Sequence, residues 1–195
     1  MTVRQLALSY EPSGAVQTEP LVERLQRGDV SAVGEAYDAH HDAVRAFARR
    51  MLGDATVAED LVHDVFVRLP SAIQGFRGES SLRTFLIAIA VNRVRRFVRA
   101  AARQRAAMER FAQQPVRQSE DPEEHARRRE LADALARALE SLPLDQRVAF
   151  VLCEVEQRSS REVSQIVGAP EGTVRTRLFH AKKKLRQCLV QEGVR

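Results

Sequence analysis

Apolar residues along the chain recur mostly at intervals of three and four, the spacing that places side chains on one face of an α-helix. This spacing begins at Leu21 and continues to Leu52, and a second helix is predicted over residues 57–69. A long helix is predicted from Leu82 past Arg103, with a first half so apolar that it should be buried. Alternation of apolar and polar residues is not sustained anywhere, so the pattern predicts an all-α fold.

Three segments lack helical spacing. Residues 1–20 contain two prolines and a glycine and are predicted to form a mobile tail. Residues 70–81, PSAIQGFRGESS, are predicted to form a loop around one exposed aromatic, Phe76. Residues 113–124, QQPVRQSEDPEE, are acidic and carry two prolines, which is typical of a linker. The predicted organisation is therefore a tail (1–20), a first helical domain (21–105), a flexible linker (106–125) and a second helical domain (126–190).

The second domain is predicted to contain four helices. The first carries Leu131, Leu135, Leu139 and Leu142 and is ended by Pro143, and the next carries Val148, Val151, Leu152 and Val155. Two further helices follow Ser159, separated by a turn of about three residues. That layout is typical of a DNA-binding helix-turn-helix.

Each boundary of this helix-turn-helix has its own signal. Ser159 and Glu162 fit a capping box, Gly168 fits a left-handed helix end, and Pro170 fits the first position of the next helix. In the second helix, one buried face is predicted from Val174, Leu178, Ala181 and Leu185. The outward residues are Thr173, Arg175, Thr176, Arg177 and His180, followed by Lys182, Lys183 and Lys184. Arginine and threonine at the start of such a helix can contact bases and phosphates, although a surface helix hairpin with a solvated basic face is the alternative.

Charge is divided unevenly along the 195 residues. The chain carries a net charge of +5, yet residues 82–105 alone contain seven arginines and no acidic residue, and residues 158–190 contain eight basic and two acidic residues. The remainder is therefore acidic. Two separate basic surfaces favour a polyanion bound at two places.

The first predicted domain contains one basic stripe and one acidic stripe. Asn92, Arg96, Arg99 and Arg103 share one side of the long helix, and we favour an anionic ligand there over a solvated arginine face, because no carboxylate balances the charge. Residues 54–64 contain four carboxylates and no arginine or lysine. This acidic stripe suits a basic protein partner, and a solvated face is an equally good interpretation.

Several function classes find little support. No apolar run approaches a membrane span, and no secretory leader pattern is present, which predicts a cytoplasmic protein. Cys153 and Cys188 fit buried thiols better than a disulfide or a metal pair. Neither clustered catalytic carboxylates, nor a phosphate-binding glycine loop, nor a convincing histidine or cysteine metal set is found, so neither enzymatic activity nor a cofactor is expected.

Three segments together resemble the extracytoplasmic-function group of bacterial sigma factors. They are LGDATVAEDLVHDVFVRL, FRGESSLRTFLIAIAVNRVRR and LPLDQRVAFVLCEVEQRSSREVSQIVGAPEGTVRTRLFHAKKKLR, in the order and at the spacing of that group. The resemblance implies a sigma-2 type helical bundle and a sigma-4 type helix-turn-helix domain. It also implies an initiation subunit that binds core RNA polymerase, through its beta and beta-prime subunits, and promoter DNA. Such proteins are commonly held inactive by an anti-sigma factor, which is often anchored in the membrane.

The resemblance also implies three sets of site residues. Core-polymerase contacts are expected on the AEDLVHDVF helix, at Asp60, Leu61, Asp64, Val65 and Phe66. The loop that captures a flipped base of the -10 element, with the helix after it, would supply Phe76, Arg77, Gly78, Glu79, Ser80, Ser81, Asn92, Arg96 and Arg99. Contacts to the -35 element would come from Arg161, Glu171, Thr173, Arg175, Thr176, Arg177, His180 and Lys182.

The chain departs from the group's usual pattern at a few positions. Phe85 stands where tryptophan is frequent, and Leu69 and Pro70 stand in a turn that often carries a second tryptophan. Just before the helix-turn-helix, Gln157 replaces a usual glycine and Arg158 replaces a usually apolar residue. The entry into the helix-turn-helix is therefore expected to differ. The alternative function is a free-standing helix-turn-helix activator or repressor, which should carry a ligand-binding or dimerisation domain.

Overall fold

A computed structural model describes residues 18–108, 135 and 137–191. Within these ranges the chain is helical and contains no strand, which confirms the predicted all-α class. The first domain comprises α1 (Thr18–Gln26), α2 (Val30–Leu52), α3 (Ala55–Ala72), a 3₁₀ turn (Ile73–Gly75) and α4 (Leu82–Met108). The second comprises helical residues at 137–140, α5 (Leu144–Phe150), a π turn (Val151–Val155), α6 (Ser160–Val167) and α7 (Glu171–Gln191).

The first domain is a bundle in which α2, α3 and α4 pack against one another. Its largest fully buried side chains include Phe47, Met51, Leu69 and Leu86. Aspartates begin two of the helices: the Asp29 carboxylate accepts a hydrogen bond from the Ser31 amide at α2, and Asp54 accepts one from Val57 at α3. The sharp junction between α2 and α3 uses Gly53 at φ +73°, a conformation that suits glycine.

Three boundaries differ from those predicted. Helix α1 begins at Thr18, within the predicted tail, because a proline such as Pro20 is tolerated in a first turn whose amides have no partner. Helix α3 continues through Pro70 to Ala72 and into a 3₁₀ turn, so the predicted loop is shorter than expected. Helix α4 runs to Met108, into the predicted linker, whereas the linker segment 113–124 and residues 1–17 lie outside the described residues.

The second domain is built on contacts of α7 with α5 and α6. Val148, Leu152, Val163 and Val174 are fully buried here. Val155, one of the apolar positions that predicted this helix, is 43% exposed, because the π turn shifts the register of the side chains that follow α5. Cys153 and Cys188 are free and only half-buried, and partial burial raises the pKa of the Cys153 thiol.

The two domains are in contact in this structure. Helix α6 packs against α4, and one buried apolar cluster contains residues from both domains, among them Val91, Val94, Val148 and Val163. A smaller cluster lies at the far end of α7, where Ala181 and Leu185 pack with Leu139 and Leu142. Helix α4 is therefore both the last helix of the first bundle and the base on which the second domain sits.

Candidate nucleic-acid interface

The start of α6 has the predicted capping box. The amide of Glu162 donates to Ser159 Oγ at 3.2 Å, and the amide of Ser159 donates to Glu162 Oε2 at 2.8 Å. The hydrogen bonds from Ser159 lower the pKa of the Glu162 carboxyl. Two amides that the helix itself leaves without partners are thus satisfied, which fixes where α6 begins.

The turn between α6 and α7 spans residues 168–170, the predicted length. Gly168 has φ +66° and ψ +37°, the left-handed conformation expected of it. Pro170 was expected at the first position of α7 but precedes that helix, and its carbonyl accepts hydrogen bonds from the amides of Thr173 and Val174. The proline therefore occupies the capping position, where its lack of an N–H costs nothing.

Helix α7 presents a basic outer face, with Thr173, Arg175, Thr176, His180 and Lys182 exposed. Two of its cations are paired within the second domain: Arg175 with Glu171 at 2.5 Å and Lys182 with Glu154 at 2.8 Å. The Thr176 hydroxyl donates to the Gly172 carbonyl at 3.0 Å. Of the other residues predicted to contact the -35 element, Arg161 is exposed on α6 and Glu171 is half-buried.

The outward position predicted for Arg177 is wrong. Its side chain is 27% exposed and pairs with Asp145 at 2.8 Å, so it lies against α5 rather than in solvent. Phe179 was not among the predicted contacts, yet it is 64% exposed and makes an edge contact with the ring of His180. An exposed aromatic side chain within a basic face does not contribute to a hydrophobic core. Its position between the predicted contacts Arg177 and His180 was the sequence signal that could have identified it as part of this surface.

The polar stripe on α4 is confirmed as a surface, since Asn92, Arg96, Arg99 and Arg103 are all exposed. The expectation that no carboxylate balances the arginines of this helix is wrong at two positions. Arg93 pairs with Asp64 on α3, and Arg95 pairs with Asp145 on α5. Both carboxylates are distant in sequence, so inspection of the arginine-rich segment alone could not reveal them.

The loop between the 3₁₀ turn and α4 is held at both ends and exposed between them. Phe76, predicted to be exposed, is half-buried, with its ring centroid 4.9 Å from that of Phe85. Gln26 donates from Nε2 to the Phe76 carbonyl at 3.0 Å, and Ser81 Oγ accepts from the Thr84 amide at 3.2 Å.

Between these anchors Arg77, Gly78 and Glu79 are exposed, and Ser80 is half-buried. Gly78 has φ +74°, which bends the loop apex. Phe85 therefore keeps an aromatic packing contact to the loop, without an indole donor. The arrangement is a short polar loop packed on an aromatic pair, and the α4 stripe begins at Asn92, ten residues beyond the start of the helix that follows the loop.

Of the residues predicted to bind polymerase on α3, the apolar ones are buried and the acidic ones lie at the surface. Leu61, Val65 and Phe66 are 6%, 0% and 5% exposed. They cannot be surface contacts as this structure stands, because their side chains hold α3 in the bundle. Asp60 and Asp64 are the polar members of the set.

Two of the four carboxylates of the acidic stripe, Glu59 and Asp64, are paired with arginines of other segments or of α3 itself, contrary to expectation. Glu59 pairs with Arg45 at 2.8 Å and with Arg49 at 3.2 Å, and Asp64 pairs with Arg68 and Arg93. Asp60 is exposed and has no ion pair or hydrogen bond within the described part of the chain. The unpaired negative charge of α3 is therefore concentrated at Asp60, and Val67, two turns further along the helix, is 61% exposed.

Arg158, which departs from the expected apolar residue, crosses between the domains. Its side chain is only 11% exposed, and its guanidinium donates to Thr84 Oγ1 on α4 at 2.9 Å. The preceding Gln157, which replaces a usual glycine, has φ +54°, the only positive φ of a non-glycine residue in the described ranges. These two positions lead from the π turn into the helix-turn-helix, and Arg158 ties that entry to α4.

The described residues include no group of three or more His, Cys, Asp or Glu side chains that could hold a metal ion. They also include no helix long and apolar enough to cross a membrane. The chemistry available at the surfaces above is that of arginine, lysine, amide and hydroxyl donors and of aromatic faces. Such groups bind phosphates and base edges.

Comparison with known proteins agrees with this chemistry. The family model of Sigma-70 region 2 matches residues 36–104, and that of Sigma-70, region 4 matches residues 132–185. The RNA polymerase sigma-H factor of Pseudomonas aeruginosa is 29% identical over 181 residues, covering 89% of this chain and 94% of the relative. The ECF RNA polymerase sigma-E factor of Escherichia coli is 31% identical over 173 residues, covering 85% of this chain and 90% of the relative.

Solved structures show the same fold. The sigma factor RpoE of Bartonella quintana, in complex with the anti-sigma factor NepR, matches with a TM-score of 0.65 at 23% identity, over 82% of this chain and 98% of that one. CnrH, in complex with the cytosolic domain of CnrY, matches with a TM-score of 0.62 at 25% identity, over 88% of this chain and 96% of that one. Both similarities extend across the two helical domains.

Proposed function

The chain belongs to the extracytoplasmic-function group of the sigma-70 family, and from that premise we propose how its own residues recruit core RNA polymerase to a promoter. Its function is to bind core polymerase and direct promoter recognition, melting of the -10 element and transcription initiation. Sigma factors are initiation factors rather than enzymes, so phosphodiester synthesis belongs to the polymerase. We place this activity in the bacterial cytoplasm, with an anti-sigma factor as a regulatory partner, as in the two solved complexes.

The observation that carries the proposal is the presence of three distinct surfaces on one small chain. They are the basic face of α7, the loop with the polar stripe of α4, and the single unpaired carboxylate of α3. A free-standing repressor needs only the first of these. Nothing among the described residues resembles a separate ligand-binding domain, and the comparisons favour no such function.

For the upstream element, we propose that α7 enters the major groove with its N-terminal half. Arg175 and Thr173 are exposed at that end, and Arg175 is held only by the surface carboxylate of Glu171. An exposed ion pair is worth little, roughly 0–1 kcal/mol, so a guanine edge or phosphate can displace it readily. His180 and Lys182 lie further along the same helix, where phosphate contacts would fix its position.

The test for this surface compares two arginines of α7. Arg175→Ala should cost roughly 1–3 kcal/mol in binding to the preferred upstream sequence and reduce discrimination against altered sequences. Arg186→Ala removes the same charge from an exposed position nearer the end of α7 and should weaken all sequences alike. Equal selectivity in the two variants and the parent would show that Arg175 does not contact bases.

For the downstream element, we propose that the loop 77–80 receives an unstacked base and that Asn92, Arg96 and Arg99 hold the neighbouring strand. An extruded base needs polar edge contacts and a surface on which to stack. The loop apex supplies exposed polar groups, and the ring pair of Phe76 and Phe85 supports it from beneath. Arginine and asparagine then follow at helical spacing along α4.

Melting can be followed with 2-aminopurine placed within the -10 element, because its fluorescence rises when the base leaves the stack. With core polymerase present, Arg96→Ala should reduce the signal. Arg83→Ala is the matched control, since Arg83 is exposed on α4 outside the stripe and has no ion pair within the described ranges. An identical loss in both variants would attribute the effect to net charge alone.

For core binding, we propose that α3 docks through Asp60, with exposed Val67, two turns along the same side of the helix, as an apolar contact. Glu59 and Asp64 are engaged by arginines of this chain, so Asp60 is the carboxylate available to a basic partner surface. Leu61, Val65 and Phe66 contribute by fixing the helix. Asp60→Arg should weaken core binding by about tenfold or more, because like charges across an interface repel.

The control is Glu23→Arg, which makes the same charge change at an exposed position of α1. It should leave core affinity within about twofold of the parent, since rim charges away from an interface contribute little. Both variants should retain the affinity of the isolated protein for DNA. If Asp60→Arg copurified with polymerase as well as Glu23→Arg does, docking through this face of α3 would be excluded.

A further inference from the structure

The loop proposed to receive an unstacked base has no hydrogen-bonded support at its apex. Within the described ranges, Arg77, Gly78 and Glu79 are exposed and take part in no hydrogen bond. Their positions therefore depend on the two stems from which the loop rises. The stem on the α4 side is closed by the hydrogen bond between Ser81 and Thr84, and the opposite stem ends at Phe76.

The stem that ends at Phe76 is held by a residue of α1. Gln26 donates from Nε2 to the Phe76 carbonyl at 3.0 Å and to the Ile73 carbonyl at 3.2 Å. In return, Gln74 donates from Nε2 to the Gln26 carbonyl at 2.8 Å. A side-chain amide carries two N–H donors, so one Gln26 nitrogen can satisfy both carbonyls at once. These three hydrogen bonds form a reciprocal glutamine clamp between α1 and the 3₁₀ turn.

The glutamine clamp restrains the backbone at the point where the loop departs. The carbonyl of Phe76 belongs to the peptide unit that leads into Arg77, and a peptide unit is planar. Because the clamp fixes that carbonyl, it also fixes the orientation of the Arg77 amide and the direction in which the loop begins. Packing of the Phe76 ring on Phe85, with centroids 4.9 Å apart, holds the side chain but does not by itself set this direction.

Helix α1, which carries the clamp, is firmly attached to the bundle. Its Arg24 guanidinium donates to three partners around the start of α2: Asp29 at 2.9 Å, Ser31 at 2.9 Å and Glu35 at 2.6 Å. The side chain of Gln26 therefore projects from a helix that is fixed relative to α2. Geometry supported by a rigid element is held more precisely than geometry supported by a loop.

We propose that Gln26 is a positioning residue for recognition of the unstacked base of the -10 element, and that α1 is the support of the loop 77–80. The inference rests on the proposed function, because it assumes that this loop receives the base. With the glutamine clamp intact, the loop presents its polar groups in one arrangement before DNA arrives. Without the clamp, binding of the preferred base must also order the loop backbone, whereas the poorer contacts to other bases have little to lose.

The test removes the amide of Gln26 and keeps the length of the side chain. Gln26→Met retains an unbranched side chain of high helix propensity but cannot donate to the two carbonyls. Gln74→Met removes only the reciprocal bond and leaves both donors of Gln26 in place. Gln187→Met is the matched control, because it makes the same substitution at an exposed position of α7 in the second domain.

Base discrimination is measured with the complex of full chain and core polymerase. The probes are single-stranded oligonucleotides with the -10 element that the parent selects, carrying each of the four bases in turn at the extruded position. Gln26→Met should weaken binding of the preferred base about tenfold and of the other bases less than about twofold. Tenfold corresponds to about 1.4 kcal/mol, close to the cost of fixing the backbone of one residue.

The other variants and a purely structural role give different results. Gln74→Met should cause a smaller loss of preference than Gln26→Met, and Gln187→Met should keep the preference of the parent within about twofold. Core affinity of all three variants should stay within about twofold of the parent. If Gln26 served the stability of the bundle alone, Gln26→Met would weaken all four oligonucleotides by the same factor, and the positioning role would be excluded.

A second measurement follows the loop without polymerase or DNA. Backbone order parameters of residues 77–79, from nuclear magnetic resonance relaxation of the full chain, should be about 0.85 in the parent and below about 0.6 in Gln26→Met. Unchanged order parameters, or an unchanged preference in Gln26→Met when the parent discriminates bases, would overturn the positioning role and leave the proposed function in place. Reduced order parameters together with a parent that shows no base preference would retain the clamp and remove the loop from the proposed function.

Discussion

Replacement of Ser159 by alanine should weaken the helix-turn-helix by a predictable amount. The substitution removes the acceptor for the Glu162 amide, at 3.2 Å, and a hydroxyl donor to the Glu162 carboxylate, at 2.7 Å, while the Ser159 amide keeps its own bond to that carboxylate. Loss of a serine cap typically costs about 1 kcal/mol, which for a chain of this length lowers Tm by about 2–4 °C.

The pH dependence of this cost has a defined sign. Hydrogen bonds from Ser159 lower the pKa of Glu162 below its ordinary value of 4.5 in the folded state. The associated stabilisation is therefore present above that value and is lost as pH falls through the depressed pKa. The difference between Ser159→Ala and the parent should shrink below about pH 4.

Urea denaturation followed by circular dichroism, repeated between pH 3 and pH 7, measures both effects. Ser164→Ala is the matched control, because its hydroxyl bonds only to the Arg161 carbonyl within α6 and its loss should change stability by less than about 0.5 kcal/mol. If Ser159→Ala unfolded at the same urea concentration as Ser164→Ala at pH 7, the capping box would not stabilise the domain.

Three further substitutions test local features of the fold by the same denaturation assay. Gln157→Val should cost about 1–2 kcal/mol because a β-branched residue is disfavoured at φ +54°, whereas Gln157→Gly should unfold at or above the parent midpoint. Hydrogen bonds from Ser31 and Arg24 lower the pKa of Asp29 from 3.8 to about 2, and the stability they contribute is lost as pH falls through that range. Asp29→Asn should therefore reduce the loss of unfolding free energy between about pH 4 and pH 2. Gly53→Ala should destabilise the fold by about 1 kcal/mol or more, since the φ of residue 53 is +73° and a Cβ there would lie 2.8 Å from Glu140 Oε1. Adding Glu140→Ala to Gly53→Ala should restore only the part of the stability that was lost to this steric contact.

Local signals predicted much of the fold. The capping box at Ser159 and the left-handed Gly168 depend on neighbouring residues alone, and both were confirmed. On α7 the predicted face is buried at Val174, Ala181 and Leu185, while Leu178 is only half-buried. The continuation of α3 past Pro70 was not predicted, because the terminal turn loses only one hydrogen bond to the proline while Ile73 gains a fully buried position.

The site was less predictable wherever a residue's partner lies far away in sequence. Arg177 was expected to face solvent from its helical position, yet Asp145, thirty-two residues earlier, draws it inward. Asp64 was expected to belong to an acidic surface, but in the folded chain Arg93 of α4 pairs with it. Helical spacing specifies a face but not the charge that another element places opposite that face.

The central claim is that this chain makes core RNA polymerase promoter-specific. The most direct measurement is transcription from a library of random upstream sequences with purified core polymerase, with and without the protein, followed by sequencing of transcript starts. We predict that starts gained with the protein share a downstream and an upstream element, and that Arg175→Ala relaxes only the upstream one. Core polymerase that gained no sequence-specific starts from the protein would contradict the account.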